Sequence, residues 1–373
     1  MEKITITYLF KMDRKYLYKA LNSLCLEMCV GLEYFYNKTL NFSDKNLLKN
    51  LTFRRKIVPE ILEVIPLQKD NFLVKIGIPT HNFNIKTIGF SGLLTVFFGQ
   101  LGEINEIKTC KILDIDFPVS YLFHFGGPKF GKSGVLKFIK AEKFPLIGCI
   151  LKPNIGLTPR EIGDICYYAG KSGINLVKDD EIGLDNDISS IVKKIDYAEN
   201  SIEKISPNSK IVYAVNICSD FDKLPAIAKL INQTKHCIPM ILPFSSGFPA
   251  LYYVRKIINK PIYTHRVGYF VYTQGRICID ESVLLWFLRL LGADFIHIGN
   301  PVKNAQSVKN LQKITEGKDI LPACPVVTNV DENNVKLVID KVGRDILLMI
   351  AGLGKKIDKN TMNCLEKIKK LIS

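Results

Sequence analysis

Leu146-Ile-Gly-Cys-Ile-Leu-Lys-Pro-Asn-Ile-Gly-Leu157 and Gly173-Ile-Asn-Leu-Val-Lys-Asp-Asp-Glu181 decide how this chain folds. Each opens with a short apolar run that ends in a lysine. Between them, Thr158-Pro-Arg-Glu161 is a capping box with proline in the first helical turn, and Gly173 closes the helix it opens. The unit reads strand, helix, strand. Apolar runs of this kind are expected of parallel strands covered on both faces. The second strand runs out into Lys178-Asp179-Asp180-Glu181. Four charged groups at the mouth of a buried strand are costly unless they act together, and holding a hard divalent cation by oxygen ligands is the natural use.

The same unit recurs downstream. Apolar runs at Ile211–Ile217, Ile238–Pro243, Pro261–His265, Asp294–Ile298, Cys324–Thr328 and Ile346–Ala351 join Phe144–Leu151 and Ile174–Lys178 to make eight. Helical patterns lie between them. Asp280–Leu291 stops at Gly292, and Asp331–Val342 stops at Gly343. Eight β-α units in series predict an α/β fold built on a (β/α)8 TIM barrel, and the count of eight decides against a doubly wound open sheet.

The first 125 residues read differently. Ile4–Phe10, Phe72–Ile78 and Lys111–Phe117 alternate as strands, while Arg14–Glu27 and Phe90–Leu101 read as helices. This order predicts a smaller N-terminal α+β domain, ferredoxin-like in type. Glycine and proline cluster in Phe125-Gly-Gly-Pro-Lys-Phe-Gly-Lys-Ser-Gly134, which marks the junction. The expected domains are 1–125 and 126–373.

Composition narrows the function class. The 373 residues are 47% hydrophobic and 23% charged, as in ordinary globular proteins. No apolar stretch reaches the roughly 18 residues of a membrane span. The start, Met1-Glu-Lys-Ile-Thr-Ile-Thr7, has no basic region followed by an apolar block, which predicts no secretory leader. The ten cysteines form no C-x-x-C pair, and Cys149, Cys218 and Cys324 sit in or near apolar runs, so a reducing cytoplasm is expected. The net charge of +15 raises nucleic-acid binding, but the lysines are dispersed along amphipathic segments such as Glu366-Lys-Ile-Lys-Lys-Leu371. A small anionic substrate suits the same charge, with no nucleic-acid or membrane partner.

Barrel enzymes place reacting groups at the C-terminal ends of their strands. Those ends offer Lys152 and Asn154, then Lys178, Asp180 and Glu181, then Asn216, His265 with Arg266, His297 with Asn300, Thr328 with Asn329, and finally Gly352-Leu-Gly354. Each has a plain alternative. Either histidine alone reads as a hydrogen-bonded core residue. Lys152 could snorkel to the rim, and Asp180 or Glu181 could cap the next helix. Two of the five histidines falling at strand ends on one face favours a site.

The paired segments Leu146–Leu157 and Gly173–Glu181 closely resemble the large chain of ribulose-bisphosphate carboxylase (RuBisCO) and its non-carboxylating relatives, the RuBisCO-like proteins of form IV type. Leu113-Asp-Ile-Asp-Phe-Pro118, Phe125-Gly-Gly-Pro-Lys-Phe-Gly131, Val212-Tyr-Ala-Val-Asn216 and Thr264-His-Arg-Val-Gly268 extend the likeness. It runs from about Phe72 to Gly354.

The resemblance implies that Lys178 takes up carbon dioxide as a carbamate. With Asp180 and Glu181 it would then hold Mg2+. It also implies proton handling by the carbamate, Lys152 and His265, and contact of His297 with substrate oxygens. Cys25-Leu-Glu-Met-Cys-Val30 is similar to the stretch whose glutamate reaches the partner subunit's site, so Glu27 would be that residue, and Gln100 falls where carboxylases have an asparagine. A homodimer with shared active sites follows. Asn154, Asn216, Arg266, Thr328, Gly352 and Gly354 would contact substrate.

The departures matter as much. Asn154 stands where carboxylases carry a second lysine. His297-Ile-Gly-Asn-Pro-Val-Lys-Asn304 lacks the glycine hinge of the mobile loop, and Lys303 is one place out of register. Thr328-Asn329-Val330 and Gly352-Leu353-Gly354 replace glycine-rich phosphate loops, and Leu32-Glu33 replaces a threonine-tryptophan pair. Valine and leucine obstruct the close approach of backbone amides to a phosphate.

The expectation is a Mg-dependent lyase or isomerase. It would form an enediolate from a small keto-sugar or oxo-sugar acid, with or without a phosphate, leading to enolisation, isomerisation or decarboxylation. Fixation of carbon dioxide on ribulose bisphosphate is not expected. Asn154 and the His265-Arg266 pair look most like relatives implicated in oxo-isoapionate breakdown. One alternative is a diverged, non-catalytic scaffold or regulatory protein. Another is a Schiff-base aldolase using Lys152 or Lys178, against which the carboxylates beside Lys178 are expected to raise its pKa.

Overall fold

The structure is a computed structural model. It describes residues 2–29, 56–99, 101–153, 155–183, 187–206, 208–353 and 359–372, the side chains of 351–353 and 359–361 excepted. Asn154, Gln100, Gly354, Leu32 and Glu33 therefore lie outside the described residues. Two compact units are present, Met1–His124 with Tyr269–Leu284, and Phe125–Gly268 with Leu285–Ser373.

The first unit is a mixed sheet. β1 (Lys3–Lys11) alternates strictly, burying Ile4, Ile6, Tyr8 and Phe10. It is followed in the chain by β2 (Glu60–Pro66), β3 (Asn71–Pro79) and β4 (Thr109–Asp116). β1 lies between β3 and β4, antiparallel to both, and β2 pairs antiparallel with β3. Two helices accompany it, Leu17–Glu27 after a 3-10 turn, and Ile85–Phe98. The second starts five residues before Phe90 because the side chain of Asn84 caps it, accepting the Lys86 amide at 3.1 Å.

The second unit is the barrel. β5 (Leu146–Leu151), β6 (Leu176–Lys178), β7 (Val212–Asn216), β8 (Cys237–Ile241) and β9 (Tyr263–Thr264) run parallel in sequence. The chain then contributes β10 (Ile277–Ile279) to the first sheet, parallel to β4. β11 (Phe295–His297), β12 (Cys324–Val327) and β13 (Leu347–Leu353) complete the circle. The closed order is β11-β12-β13-β5-β6-β7-β8-β9. The eight apolar runs are its eight strands.

Between strands the helices form where their signals stand. Thr158 and Glu161 make the reciprocal capping bonds of helix Pro159–Lys171, and Gly173 beyond it has φ +74°. The barrel interior is filled by Leu146, Leu176, Ala214, Met240, Tyr263, Phe295, Val326 and Met349, with Val135 and Ile139 of helix Gly131–Ile139 packed against one end. Gly148 makes room for Met349 in that packing, since a Cβ there would lie 2.5 Å from Met349 Sδ. Among the described residues, no helix is long and apolar enough to cross a membrane.

Candidate active site

Strand ends set the polar groups in a ring. β6 ends at Lys178, whose side chain is fully buried. Its Nζ donates to the Asp179 carbonyl at 2.8 Å and lies 3.5 Å from Glu181 Oε2. The next two residues diverge. Asp179 turns inward, where its carboxylate accepts Tyr213 Oη–H, Lys194 Nζ at 2.8 Å and the Asn216 amide at 2.9 Å. Asp180 turns to the mouth. Its Oδ1 accepts the Ile182 amide at 3.0 Å, and its Oδ2 accepts Lys152 Nζ at 2.6 Å.

Asn216, at the end of β7, braces this loop. Its Nδ2 donates to the carbonyls of Asp180 at 3.2 Å and Glu181 at 3.4 Å. From β9, His265 Nε2 comes within 3.6 Å of Glu181 Oε2. The Val267 amide donates to His265 Nδ1 at 3.2 Å, so the neutral ring carries its proton on Nε2. His297, from β11, packs edge-on to it with ring centroids 4.5 Å apart, and its Nε2 is hydrogen-bonded to Tyr263 Oη.

Burial sets the protonation states. It pushes the Lys178 ammonium below the ordinary lysine value, against the opposing pull of Glu181, Asp180 and Asp179. The sequence expectation that the carboxylates would raise it is thus corrected, because burial in the barrel outweighs them. Burial also acts first on His265, and with the Lys178 charge lowers it to about 4. His297 is pushed well below its ordinary value by burial first, then by His265, Lys178 and Arg266. For Asp180, burial acts upward, but the Lys152 and Ile182 hydrogen bonds outweigh it and hold the carboxyl low.

The structure therefore brings Lys152, Lys178, Asp180, Glu181, Asn216, His265 and His297 into one chain of contacts. Arg266 lies beside Gly299, whose missing Cβ would stand 3.2 Å from Arg266 Nη2. Thr328 is half-buried, and its carbonyl and that of Asn329 accept Asn300 Nδ2 at 2.9 and 3.2 Å. Gly352 pairs with Ile150 across β13 and β5, past an irregularity in the register. Glu27 ends helix Leu17–Glu27 in the other unit.

Sequence reasoning missed Tyr213, Lys194 and Tyr263. Lys194 was findable, because helical spacing places it on the buried face with Ile191, Ile195 and Ala198. A second grouping, Glu199, Glu203 and His236, has ligand atoms within 4.8 Å of one another. It sits where β8 begins, away from the strand ends. Glu199 accepts the His236 amide at 2.9 Å and Glu203 pairs with Lys235 at 2.6 Å, so these acids brace a turn.

Comparison with known proteins gives a consistent picture. The family model described as ribulose bisphosphate carboxylase large chain, catalytic domain, matches residues 131–318. The ribulose bisphosphate carboxylase of Methanocaldococcus jannaschii is 27% identical over 328 residues, covering 80% of this chain and 76% of that protein. A 3-oxo-isoapionate-4-phosphate transcarboxylase/hydrolase of Xanthobacter autotrophicus is 25% identical over 252 residues, covering 67% and 60%. The crystal structure of the octameric carboxylase from Pyrococcus horikoshii shares the fold, with a TM-score of 0.86 at 19% identity over 100% of this chain and 89% of that one.

Proposed function

The chain belongs to the ribulose bisphosphate carboxylase large-chain family, and on that footing we propose that it is a RuBisCO-like enzyme that enolises a small keto-sugar or oxo-sugar acid. The observation that carries the reading is the contact chain from Lys152 through Asp180, Lys178 and Glu181 to His265. The enzyme would depend on Mg2+ and on carbon dioxide held as a carbamate on Lys178.

The residues fit such a centre. Both carboxylates now face lysine ammonium groups, so the site already gathers cationic charge against Asp180 and Glu181. A carbamate would turn Lys178 from a cation into an anionic oxygen donor, giving a three-oxygen face suited to a hard divalent ion. The depressed Lys178 pKa supports this step, because only the uncharged amine attacks carbon dioxide, forming an N–C bond and releasing a proton. When bound, the cation would polarise a substrate carbonyl and stabilise the charge that develops on its oxygen.

The remaining roles follow from hydrogen bonding. His265 has its Nδ1 lone pair on the Val267 amide, so it offers Nε2–H to the site as a donor. Lys152, about half-exposed, is the mobile group for the proton alpha to the carbonyl once it leaves Asp180. Asn216, Arg266, Thr328 and Gly352, with Asn154, Gln100 and Gly354, are proposed to contact substrate. Glu27 is proposed to act across a homodimer on the partner subunit's site.

Val330 bears on the substrate. It is 3% exposed, and its amide is spent on the Met349 carbonyl at 3.2 Å. That amide is not open to a phosphate, which argues for a substrate other than ribulose bisphosphate. The Xanthobacter relative points toward phosphorylated branched oxo-sugar acids as the first class to test. The test is deuterium exchange alpha to the carbonyl across a panel of oxo-sugar acids, with and without a phosphate, beside a ribulose bisphosphate carboxylation assay. Exchange that needs Mg2+, bicarbonate and Lys178 supports the reading. Carboxylation of ribulose bisphosphate, or exchange unaffected by Lys178→Ala, refutes it.

A further inference from the structure

The floor of the site pairs His297, which the family reading places on substrate oxygens, with a buried tyrosine that this reading does not use. Tyr263 is fully buried at the start of the two-residue β9, and His297 is 2% exposed at the end of β11. Their rings meet edge-on at 5.3 Å and 80°, with the tyrosine hydroxyl on Nε2 of the imidazole. Among the described residues, neither side chain makes another hydrogen bond. β9 and β11 are adjacent in the barrel, pairing Phe295 with Tyr263, so the two rings are held by the sheet itself.

The direction of this bond can be argued. If His297 donated through Nε2–H, the tyrosine's own proton would be buried with no acceptor. If tyrosine donates, the proton left over is His297 Nδ1–H, which among the described residues is not one of the fully buried polar atoms without a partner and so can meet water or substrate at smaller cost. The phenol is also kept protonated, since burial pushes its pKa well above the ordinary tyrosine value. A neutral imidazole that accepts at Nε2 carries its proton on Nδ1.

We infer that Tyr263 is a positioning residue that locks His297 in the Nδ1–H tautomer, so that His297 offers the site a neutral N–H donor suited to a substrate oxygen. The same bond seats the ring against His265, 4.5 Å away. The site then presents two neutral imidazole donors, His265 through Nε2–H and His297 through Nδ1–H. This pairing favours a substrate that places two adjacent oxygens over them, as a hydroxy-ketone or oxo-acid does. The role assigned to the N–H rests on reading the barrel mouth as a substrate site, but the tautomer does not.

The test is imidazole nitrogen NMR of the full chain labelled in histidine. The chain has five histidines, so single substitutions assign them. The expected wild-type spectrum shows His297, assigned by His297→Gln, with protonated Nδ1 and unprotonated Nε2. In Tyr263→Phe the His297 signals are expected to move toward the Nε2–H form while His236 is unchanged. A wild-type His297 already protonated on Nε2 would overturn the inference without any variant, and so would a tautomer unchanged in a folded Tyr263→Phe. Loss of magnesium binding would refute the proposed function and leave this result standing.

Discussion

Lys152 Nζ lies 2.6 Å from Asp180 Oδ2, bridging the ends of β5 and β6. The other oxygen of that carboxylate is taken by the Ile182 amide. A cation seated on Asp180 must therefore share or displace the lysine. Even with water-like screening, an ammonium about 4 Å from a divalent ion is unfavourable by roughly 2 kcal/mol. Lys152→Met is expected to tighten Mg2+ binding in bicarbonate by about tenfold, whereas Lys152→Arg keeps the charge and should not. Calorimetry decides, and unchanged or weaker binding in Lys152→Met contradicts the competition.

Asp179 is the anchor behind the ligands. Its ion pair with Lys194 is buried on both sides, at 5% and 4% exposure. Lys194→Met would strand that carboxylate and should cost about 3–5 kcal/mol in urea unfolding. Tyr213→Phe removes one hydrogen bond to the same group and should cost about 1.5–3 kcal/mol. Magnesium affinity should fall in both, because the turn that aims Asp180 loses its support. A Lys194→Met protein as stable as wild type would show that the pair is dispensable.

Acid should destabilise the fold through His265. The folded ring stays neutral to about pH 4, against an ordinary value of 6.5. Below 6.5 the unfolded chain binds a proton that the folded chain refuses. Stability is therefore intact above pH 6.5 and lost progressively as pH falls toward 4, by about 3 kcal/mol from this group. His297 adds to the loss in the same direction. Denaturant unfolding at pH 7.5 and 4.5 should show a smaller acid penalty in His265→Gln, and an equal penalty in both proteins would remove the histidine from the account.

Gly299 has φ +90°, and a Cβ there would lie 2.8 Å from Ser307 Oγ and 3.2 Å from Arg266 Nη2. Gly299→Ala should lower stability by about 1–3 kcal/mol and shift Arg266. Thermal melting checks the first effect. Weakened protection by an anionic substrate, once identified, checks the second.

The barrel was legible because its strands are covered on both faces, so each appears as an unbroken apolar run that no turn interrupts. β2 was not, since it is a partly exposed strand with no clean alternation. Neither was β10, three residues whose identity depends on pairing with β4, more than 160 positions earlier in the chain. In the site, polar groups at strand ends stand out against apolar runs, which is why Lys152, Asp180, His265 and His297 could be named. Tyr263 did not stand out, because a tyrosine inside a strand reads as core until its hydroxyl is seen to meet a histidine. The sign of the Lys178 shift was misread for a related reason. Adjacent carboxylates are visible in sequence, whereas depth of burial is a property of the closed barrel.

The central claim is that Lys178, as a carbamate, joins Asp180 and Glu181 around Mg2+. Calorimetric titration of magnesium with and without bicarbonate, with Lys178→Ala as control, tests it most directly. Binding that requires both bicarbonate and Lys178 is the predicted result. Binding that ignores either one, or no binding in any condition, would contradict it.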